Sequence, residues 1–250
     1  MSSTPTDPTT PRRVQRVRHE LKRRELEVVR VETISPHFRS VTLGGAALAG
    51  FISASFDDHL KLILDADGPS PVMRDYTPRH YDAAANELTL EFAQHGDGPA
   101  ASWAAQVQPG QRVNIGGPRG SFVIDIDHDW HLLVGDETAL PAIARRLEEL
   151  PASTRALVIA LVPDAADRRE LHSAAALSVQ WVDSADAMFA AVRALALPAG
   201  EGYAWCAGEA AEMADLRRIL VDEKGHGAHA IRAAAYWKRG TAAHHENLAG

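Results

Sequence analysis

The chain has 250 residues, 46% of them hydrophobic, and a formal net charge of −7 at pH 7. That length suffices for one large or two ordinary domains. The acidic balance argues against nucleic-acid binding, and no apolar run approaches the roughly 18 residues that a membrane span requires. The single cysteine, Cys206, excludes an intramolecular disulfide and permits a reducing compartment, so we expect a cytoplasmic protein.

Residues 1–24 are predicted to form a flexible basic N-terminal segment. Residues 12–24 contain six arginines and Lys22. A solvated tail or first helix is favoured here over an arm that binds nucleic acid.

Residues 25–127 show short apolar stretches separated by Gly, Pro and Asp, which is typical of a small antiparallel barrel. We expect six strands, and one helix near Pro99–Gln106. The clearest candidate strands are Glu25–Glu32, Phe38–Leu43, His59–Leu64, Glu87–Phe92 and Arg112–Ile115.

Residues 128–235 alternate between apolar strands and helices, which predicts a doubly wound parallel sheet. The boundary with the barrel is expected near Asp125–Asp129, and residues 236–250 form a separate C-terminal segment. The predicted strands are Leu132–Val134, Ala156–Val162, Val179–Val182 and Tyr203–Cys206. The predicted helices run from the first strand to Leu150, near Arg168–Ala176, over Ala185–Leu195 and over Ala210–Glu223.

The segment Arg74-Asp75-Tyr76-Thr77 is a pattern that cradles flavins. In a strand, Arg74 and Tyr76 project to the same face. Arg74 can pair with a pyrophosphate, Tyr76 can lie against the isoalloxazine, and Thr77 can hydrogen-bond near its N5 edge. The alternative interpretation is an exposed polar strand end.

A glycine-rich stretch follows at residues 95–103. Its two glycines allow the backbone to approach a ligand closely, and Ser102 adds a hydroxyl group. The helix that begins near Pro99 offers its positive end to a phosphate.

Several segments together resemble the siderophore-interacting proteins, a branch of the ferredoxin-reductase-like flavoproteins. They run from about residue 25 to 240. The matching segments are Asp58–Leu62, Arg74–Arg79, His95–Ala100, Gly135–Ile143, Trp205–Glu209 and Tyr236–Gly240.

The resemblance implies a flavin-dependent ferric-siderophore reductase, with an FAD-binding barrel and an NAD(P)-binding-like parallel domain. It implies that FAD is held by Arg74, Tyr76, Thr77, Arg79, His95, Gly98, Ala100, Ser102, Trp103, Asp136, Thr138, Ala139 and Trp237. A ferric siderophore is often anionic, so a basic docking patch is expected. Its candidates are Lys238, Arg239 and Arg232, with surface charge as the alternative. Electron transfer of this kind needs no catalytic acid or base.

The electron donor is left open between NADH, NADPH and reduced ferredoxin. In generic ferredoxin-reductase-like proteins a glycine-rich turn approaches the nicotinamide cofactor after the first parallel strand. Here Asp136 and Glu137 stand where small neutral residues would be, and carboxylates would repel a pyrophosphate.

Two other functions are considered. One is a general flavin reductase that passes electrons from NAD(P)H to another protein, and the other is a siderophore-binding protein without activity. No histidine spacing completes a four-ligand metal set, so no protein-bound metal is expected.

Overall fold

The computed structural model describes residues 13–94 and 98–241, together with the backbone of residues 246 and 247. Two β-sheets dominate the described part of the chain. The first is antiparallel and built before residue 125, and the second is mainly parallel and begins at Trp130. The fold class expected from the sequence is therefore confirmed.

The antiparallel part is barrel-like. A seven-stranded sheet has the order β5-β4-β8-β2-β3-β7-β6, and β1 and β9 form a separate two-stranded ribbon. The elements are Val14–Arg18 (β1), Arg23–Ser35 (β2), Phe38–Gly44 (β3), Leu60–Leu64 (β4), Val72–Tyr76 (β5), His80–Asp82 (β6), Glu87–Ala93 (β7), Pro99–Gln106 (α1), Arg112–Gly116 (β8) and Gly120–Ile124 (β9).

Alternation along the strands builds the core of this sheet. In β7, Leu88, Leu90 and Phe92 are completely buried, whereas the residues between them are partly exposed. Successive side chains of a strand point to opposite faces, so one face of β7 supplies the core. Burial of such side chains is the main favourable contribution to folding.

The second sheet has the order β12-β11-β10-β13-β14-β15, with the first five strands parallel and β15 antiparallel. Its elements are Trp130–Asp136 (β10), Leu140–Glu149 (α2), Arg155–Leu161 (β11), Ala176–Val182 (β12), Ala185–Ala194 (α3), Gly202–Glu209 (β13), Ala210–Arg218 (α4), Ile231–Trp237 (β14) and Glu246–Asn247 (β15). A π-helical turn at Ile219–Glu223 extends α4.

The strand order reverses between β10 and β13, which lie side by side at the centre of the sheet. In open sheets of this kind a ligand binds where the order reverses, at the carboxyl ends of the strands. Leu133 of β10 packs on one face in a core that includes Phe38 and Phe56 of the antiparallel part. The two sheets therefore share a hydrophobic core.

The structure corrects four expectations about elements. The barrel sheet has seven strands rather than six. The basic segment is not a free tail throughout, because β1 pairs with β9 and β2 begins at Arg23. Tyr236 and Trp237 belong to β14 rather than to a separate segment.

The fourth correction concerns the helix expected near residues 168–176, which is absent from this described stretch. Leu171 and Ala175 are both buried, although this stretch is not helical. Two tertiary contacts hold this stretch in a non-helical conformation instead. Arg169 pairs with Glu91 of the first sheet, and the Ser173 hydroxyl donates to the Leu147 carbonyl oxygen.

Within residues 13–94 and 98–241, no helix combines the length and apolar character that crossing a bilayer requires.

Candidate active site between the two sheets

A cleft of about 480 Å³ opens between the antiparallel sheet and the carboxyl ends of β10 and β14. One wall is formed by the end of β5 and the start of α1. The opposite wall is formed by the turn after β10 and by the end of β14. The lining residues that matter below are Arg74, Tyr76, Thr77, Gly98, Glu137, Thr138, Tyr236, Trp237 and Thr241.

The three residues of the predicted flavin cradle lie together at this cleft. Arg74, Tyr76 and Thr77 come from the end of β5 and from the residue that follows it. The Tyr76 ring packs against Phe92 with its centroid 4.3 Å away, and burial raises the pKa of its phenol. Tyr76 is therefore a fixed neutral aromatic group beside a permanent cation.

The start of α1 forms the next part of the wall. Gly98 is the N-cap, Pro99 opens the helix, and no side chain of the described residues caps it. Among the described residues, a Cβ atom at Gly98 would meet no atom within 4 Å, so no described side chain covers the backbone there. The free N–H groups and the helix dipole favour an anion at this end.

Two neighbours in the same helix do not reach the cleft. The backbone N–H of Ser102 donates to the Gly98 carbonyl oxygen over 2.9 Å, and Ser102 is absent from the described lining. The Trp103 ring packs against Phe92 at 5.6 Å in the barrel core. His95 lies outside the described residues.

Asp136, at the end of β10, is a buried structural carboxylate. Its Oδ1 accepts from the backbone N–H and the hydroxyl of Thr138, at 2.9 and 2.5 Å. Its Oδ2 accepts from the backbone N–H of Glu209 and from the indole N–H of Trp237, at 3.1 and 2.7 Å. Burial raises the pKa of Asp136, while these hydrogen bonds oppose the shift. Both oxygens are committed to the protein.

Glu137, by contrast, lines the cleft itself. Burial, together with the nearby Asp136 carboxylate, raises the pKa of Glu137 to about 7. The charge of this wall therefore changes near neutral pH. Thr138 lines the cleft as well, whereas Ala139 is completely buried behind it.

Close packing brings the ends of β10 and β13 together beside these carboxylates. A Cβ atom at Gly135 would lie 2.4 Å from the Ala207 carbonyl oxygen and 2.5 Å from the Ala139 Cβ. Only glycine fits there. Gly208 has a φ of +154°, and a Cβ atom there would lie 2.6 Å from Asp136 Oδ2.

The N-terminus of α4 is occupied by the protein's own carboxylate. Glu209 Oε2 accepts from the backbone N–H groups of Ala211 and Glu212, at 2.6 and 3.2 Å. Glu209 Oε1 accepts from the backbone N–H of Arg239. An anionic ligand therefore finds this helix end already filled, unlike that of α1.

Trp237 is the last residue of β14, and Lys238 and Arg239 follow it. Trp237 lines the cleft, and the turn beyond it brings Thr241 back to the lining. Lys238 is exposed, and the Arg239 side chain is 79% exposed, with Glu212 at 3.8 Å. The structure thus places both cations on the turn that borders the cleft.

Arg79, predicted to hold FAD, is committed to other contacts. Arg79 forms hydrogen bonds to both Glu148 oxygens, at 2.8 and 2.5 Å, and pairs with Glu91. It joins the first sheet to α2 and is absent from the described lining of the cleft.

Arg232 is corrected as a docking residue. Its guanidinium pairs with the buried carboxylate of Asp57 and lies 4.1 Å from the centroid of the Phe122 ring. Only 11% of its side chain is exposed. A cation held in this way cannot serve as an accessible docking group.

Sequence reasoning missed Tyr236 and Asp57. Tyr236 lines the cleft and donates to Asp57 Oδ1 over 3.2 Å. The Tyr236 position lies within a segment used for the family resemblance, so a signal was present, but its partner is 179 residues away. Asp57 carried no comparable signal, because nothing local predicts its pairing.

Two further features lie outside the cleft. Cys206 is buried in the core of the parallel sheet, and burial raises the pKa of its thiol to about 12. His37, Asp164 and Asp167 bring their side-chain ligand atoms within 4.8 Å of one another. Asp167 also accepts from the Ser35 hydroxyl over 2.7 Å, so this cluster ties the β2–β3 turn to the loop after β11.

The chain matches two family profiles. The profile described as siderophore-interacting FAD-binding domain matches residues 27–69 and 65–122, and the one described as siderophore-interacting protein matches residues 128–240.

Named relatives agree with these profiles. An NADPH-dependent ferric-chelate reductase of Escherichia coli is 38% identical, with 91% of this chain and 98% of the relative covered. The ferric vibriobactin reductase ViuB of Vibrio cholerae is 32% identical, with 87% and 90% covered. Among solved structures, a siderophore utilization protein from T. fusca superposes with a TM-score of 0.86 at 34% identity, with 92% of this chain and 98% of that chain covered.

Proposed function

The chain belongs to the siderophore-interacting protein family, and from this we propose that it is an FAD-dependent ferric-chelate reductase that releases iron from siderophores by reducing Fe(III) to Fe(II). The observation that carries the proposal is the shared placement of Arg74, Tyr76 and Thr77 at the cleft between the two sheets. A chelate carrier without activity needs no such cradle.

The residues at the cleft fit FAD. Arg74 supplies a fixed positive charge, and the uncapped start of α1 offers backbone N–H groups for the pyrophosphate. Tyr76 presents an aromatic surface, and Thr77 presents a hydroxyl group. Gly98 and Ala100 keep this wall free of bulky side chains, so the backbone can be approached closely.

The protein's part in the reaction is to bind and orient. When bound in the cleft, FAD would supply the conversion between a two-electron hydride donor and one-electron reduction of ferric ions. One hydride thus supports the reduction of two Fe(III) ions. Siderophores hold Fe(III) through hard oxygen donors, which bind Fe(II) less well, so the iron can leave. No described residue has to form a covalent bond with the chelate.

We propose NADPH as the donor, which is what the relative from E. coli is named for. That NADH or reduced ferredoxin serves as the electron donor stays a prediction. Glu209 already fills the N-terminus of α4, and Asp136 is saturated by hydrogen bonds. The dinucleotide therefore cannot use that helix end for its pyrophosphate, and Glu137 is a carboxylate that it would meet in the cleft, on the wall after β10.

We also propose that Lys238 and Arg239 attract the anionic chelate to the mouth of the cleft. Both are exposed and sit on the turn that returns to the lining through Thr241. Opposite charge raises the local concentration of a ligand and its rate of encounter. We place the reaction in the cytoplasm, where reduced nicotinamide donors are available.

The test is an anaerobic experiment on the purified protein. Flavin absorbance is followed after mixing with NADPH, NADH or reduced ferredoxin in turn, and a ferric chelate is then added. Reduction by NADPH followed by reoxidation on adding the chelate supports the proposal. A colourless protein that binds the chelate would identify a carrier. A flavoprotein that NADPH reduces but that no ferric chelate reoxidises would identify a general flavin reductase.

A further inference from the structure

Three aromatic side chains that can lose an electron lead from the cleft through the shared core. Tyr236 of β14 lines the cleft, and its ring centroid lies 6.2 Å from that of Trp205 of β13. Tyr203 precedes Trp205 by two residues on the same strand, so both side chains project to one face, about 6.7 Å apart along the strand. Tyr203 and Trp205 belong to the core that the two sheets share, and Tyr236 packs against it.

The far end of this series borders a second pocket. Tyr203 lines a pocket of about 610 Å³, together with Arg16, Phe122 and His229. Among the described residues, this pocket has no lining residue in common with the cleft. Arg16 and His229 are exposed. The Arg16 charge favours a small anionic molecule in this pocket.

Tyr236 has a proton acceptor in place, which a tyrosine needs when it is oxidised. A phenol that loses an electron also loses its proton. The Tyr236 hydroxyl donates to Asp57 Oδ1 over 3.2 Å, and this carboxylate pairs with Arg232. Burial raises the pKa of Tyr236, so the proton stays on the phenol until the ring is oxidised. It can then pass to Asp57 and return along the same hydrogen bond.

Trp205, by contrast, can give up an electron without giving up a proton. It is 1% exposed, and no group among the described residues accepts from its indole N–H. Oxidised Trp205 therefore keeps its proton as a cation radical, which oxidises a neighbouring phenol. Phe56 packs edge-on against Trp205 with ring centroids 5.3 Å apart, but a phenylalanine ring resists oxidation. The oxidising equivalent is therefore directed to the tyrosines on either side.

We propose that Tyr236, Trp205 and Tyr203 form a path that carries oxidising equivalents out of the cleft and so protects the cleft during iron reduction. This rests on the proposed function, because a ferrous chelate in the cleft reacts with hydrogen peroxide to give a hydroxyl radical. That radical is the oxidant that the path removes. The reductant that restores the path is a small anionic thiol in the second pocket.

Each step of the path has a defined electron and proton. The hydroxyl radical takes an electron from Tyr236 and becomes hydroxide, while the phenol proton passes to Asp57. Trp205 then gives an electron to the Tyr236 radical, and the proton returns from Asp57. Tyr203 reduces the Trp205 cation radical and releases its own proton to solvent. The thiol transfers a hydrogen atom to the Tyr203 radical, so one hydroxyl radical and one thiol become water and a thiyl radical.

The direct test is electron paramagnetic resonance on the FAD-loaded protein, frozen after mixing with ferrous EDTA and hydrogen peroxide. Without a thiol, the wild-type protein should show a tyrosyl radical that Tyr203→Phe alters. In Trp205→Phe the path is cut, so the radical should remain on Tyr236. Addition of Tyr236→Phe to that variant should then abolish the signal, whereas addition of Tyr203→Phe should leave it unchanged.

Damage to the cleft gives a second measurement. Tyr76 and His59 line the cleft, and peptide mass spectrometry follows their oxidation after turnover with NADPH, ferric EDTA, peroxide and glutathione. Oxidation should rise in Trp205→Phe and in Tyr203→Phe, while the anaerobic rate of ferric EDTA reduction stays unchanged in both. These variants interrupt the path at different rings, so either one tests it if the other fails to fold.

Trp103→Phe is the matched control for the loss of a tryptophan. The Trp103 ring contacts Phe92 at 5.6 Å, and Phe92 separates it from Tyr76 in the cleft. Because a phenylalanine lies between them, Trp103→Phe should not raise the oxidation of cleft residues. An equal rise in this control would overturn the inference, since loss of any tryptophan would then suffice.

Equal oxidation of the cleft in the wild type, Trp205→Phe and Tyr203→Phe would also overturn the inference. So would a radical in Trp205→Phe that survives Tyr236→Phe. Ferrous EDTA supplies the ferrous chelate directly, so the path is tested apart from turnover. Failure of the proposed function is seen separately, when a ferric chelate does not reoxidise the flavin that NADPH has reduced.

Discussion

The indole N–H of Trp237 donates to Asp136 Oδ2 over 2.7 Å and joins the end of β14 to the end of β10 beside the cleft. The carboxylate that receives this bond is 2% exposed and accepts three further hydrogen bonds from Thr138 and Glu209. One buried side chain thus holds together the two central turns of the parallel sheet and an aromatic wall of the cleft.

Replacement of Asp136 should therefore destabilise the protein. Asp136→Ala removes the acceptor of four hydrogen bonds and leaves buried donors unpaired. We expect the free energy of unfolding to fall by about 2–4 kcal/mol. Asp164→Ala is the matched control. Asp136 and Asp164 each cap a 3₁₀ turn by accepting from the backbone N–H two residues later, but Asp164 is exposed, so a loss of about 1 kcal/mol is expected. If urea unfolding shows equal losses of unfolding free energy in the two variants, Asp136 does not act as a buried acceptor that joins the ends of β10, β13 and β14.

The same carboxylate shows where sequence reasoning was limited. The sequence placed Asp136 and Glu137 together in the turn after a buried strand, and both were interpreted as charges that repel a dinucleotide. The structure separates them, because Asp136 is committed to hydrogen bonds while Glu137 lines the cleft. Two of the donors to Asp136 come from residues 73 and 101 positions away, which no local pattern reveals.

The fold was more predictable than the contacts across it. Apolar strands that alternate with helices predicted the parallel sheet, since this pattern is set by local periodicity. β1 was missed because four of its five residues are exposed, and only pairing with β9 makes it a strand. Arg232 looked like an available cation until its partner Asp57, distant in sequence, was known.

Arg74 provides a prediction about cofactor affinity. Arg74→Ala removes a charge-assisted pair with the FAD pyrophosphate, worth roughly 1.5–3 kcal/mol, so the affinity should fall about ten- to a hundredfold. Titration of the apoprotein with FAD, followed by flavin fluorescence, measures the change. Arg112→Ala is the control, because Arg112 is an exposed cation that pairs with Glu25 and is absent from the described lining of the cleft. Unchanged affinity in Arg74→Ala would show that the cradle lies elsewhere.

Glu137 provides a prediction about pH. With its pKa raised to about 7, Glu137 is neutral in acid and charged in alkali. NADP⁺ should therefore bind more weakly as the pH rises from 6 to 8, by about fivefold for roughly 1 kcal/mol of repulsion in a partly solvated cleft. Glu137→Gln should flatten this profile while keeping the tight binding seen at low pH. Calorimetry at several pH values measures it.

The same shift also predicts a dependence of stability on pH. The folded protein holds the Glu137 proton more tightly than the unfolded chain, because the pKa is raised from its ordinary 4.5. The free energy of unfolding should thus fall as the pH rises from about 4.5 to about 7. Glu137→Gln should remove this part of the fall. A variant with the same pH profile as the wild type, in binding and in unfolding, would exclude Glu137 as the titrating group.

Lys238 and Arg239 provide a prediction about docking of the chelate. Changing both to Ala should slow the reduction of an anionic ferric chelate at low ionic strength, because attraction over a solvated approach speeds the encounter. The defect should shrink as salt rises, since screening shortens the range of the attraction to about 10 Å at 0.1 M. Stopped-flow reoxidation of the reduced flavoprotein measures the rate, and FAD content and reduction by NADPH should stay unchanged.

A double variant elsewhere separates local docking from net charge. Lys22→Ala with Arg23→Ala removes the same two charges from exposed residues that are absent from the described lining of the cleft. A general effect of net charge would slow both double variants alike, whereas docking at the mouth slows only the Lys238 and Arg239 pair. A cationic ferric chelate should lose no rate in either. Equal losses for anionic and cationic chelates would instead mean that the turn at residues 238–241 acts through packing beside Trp237, and not through its charge.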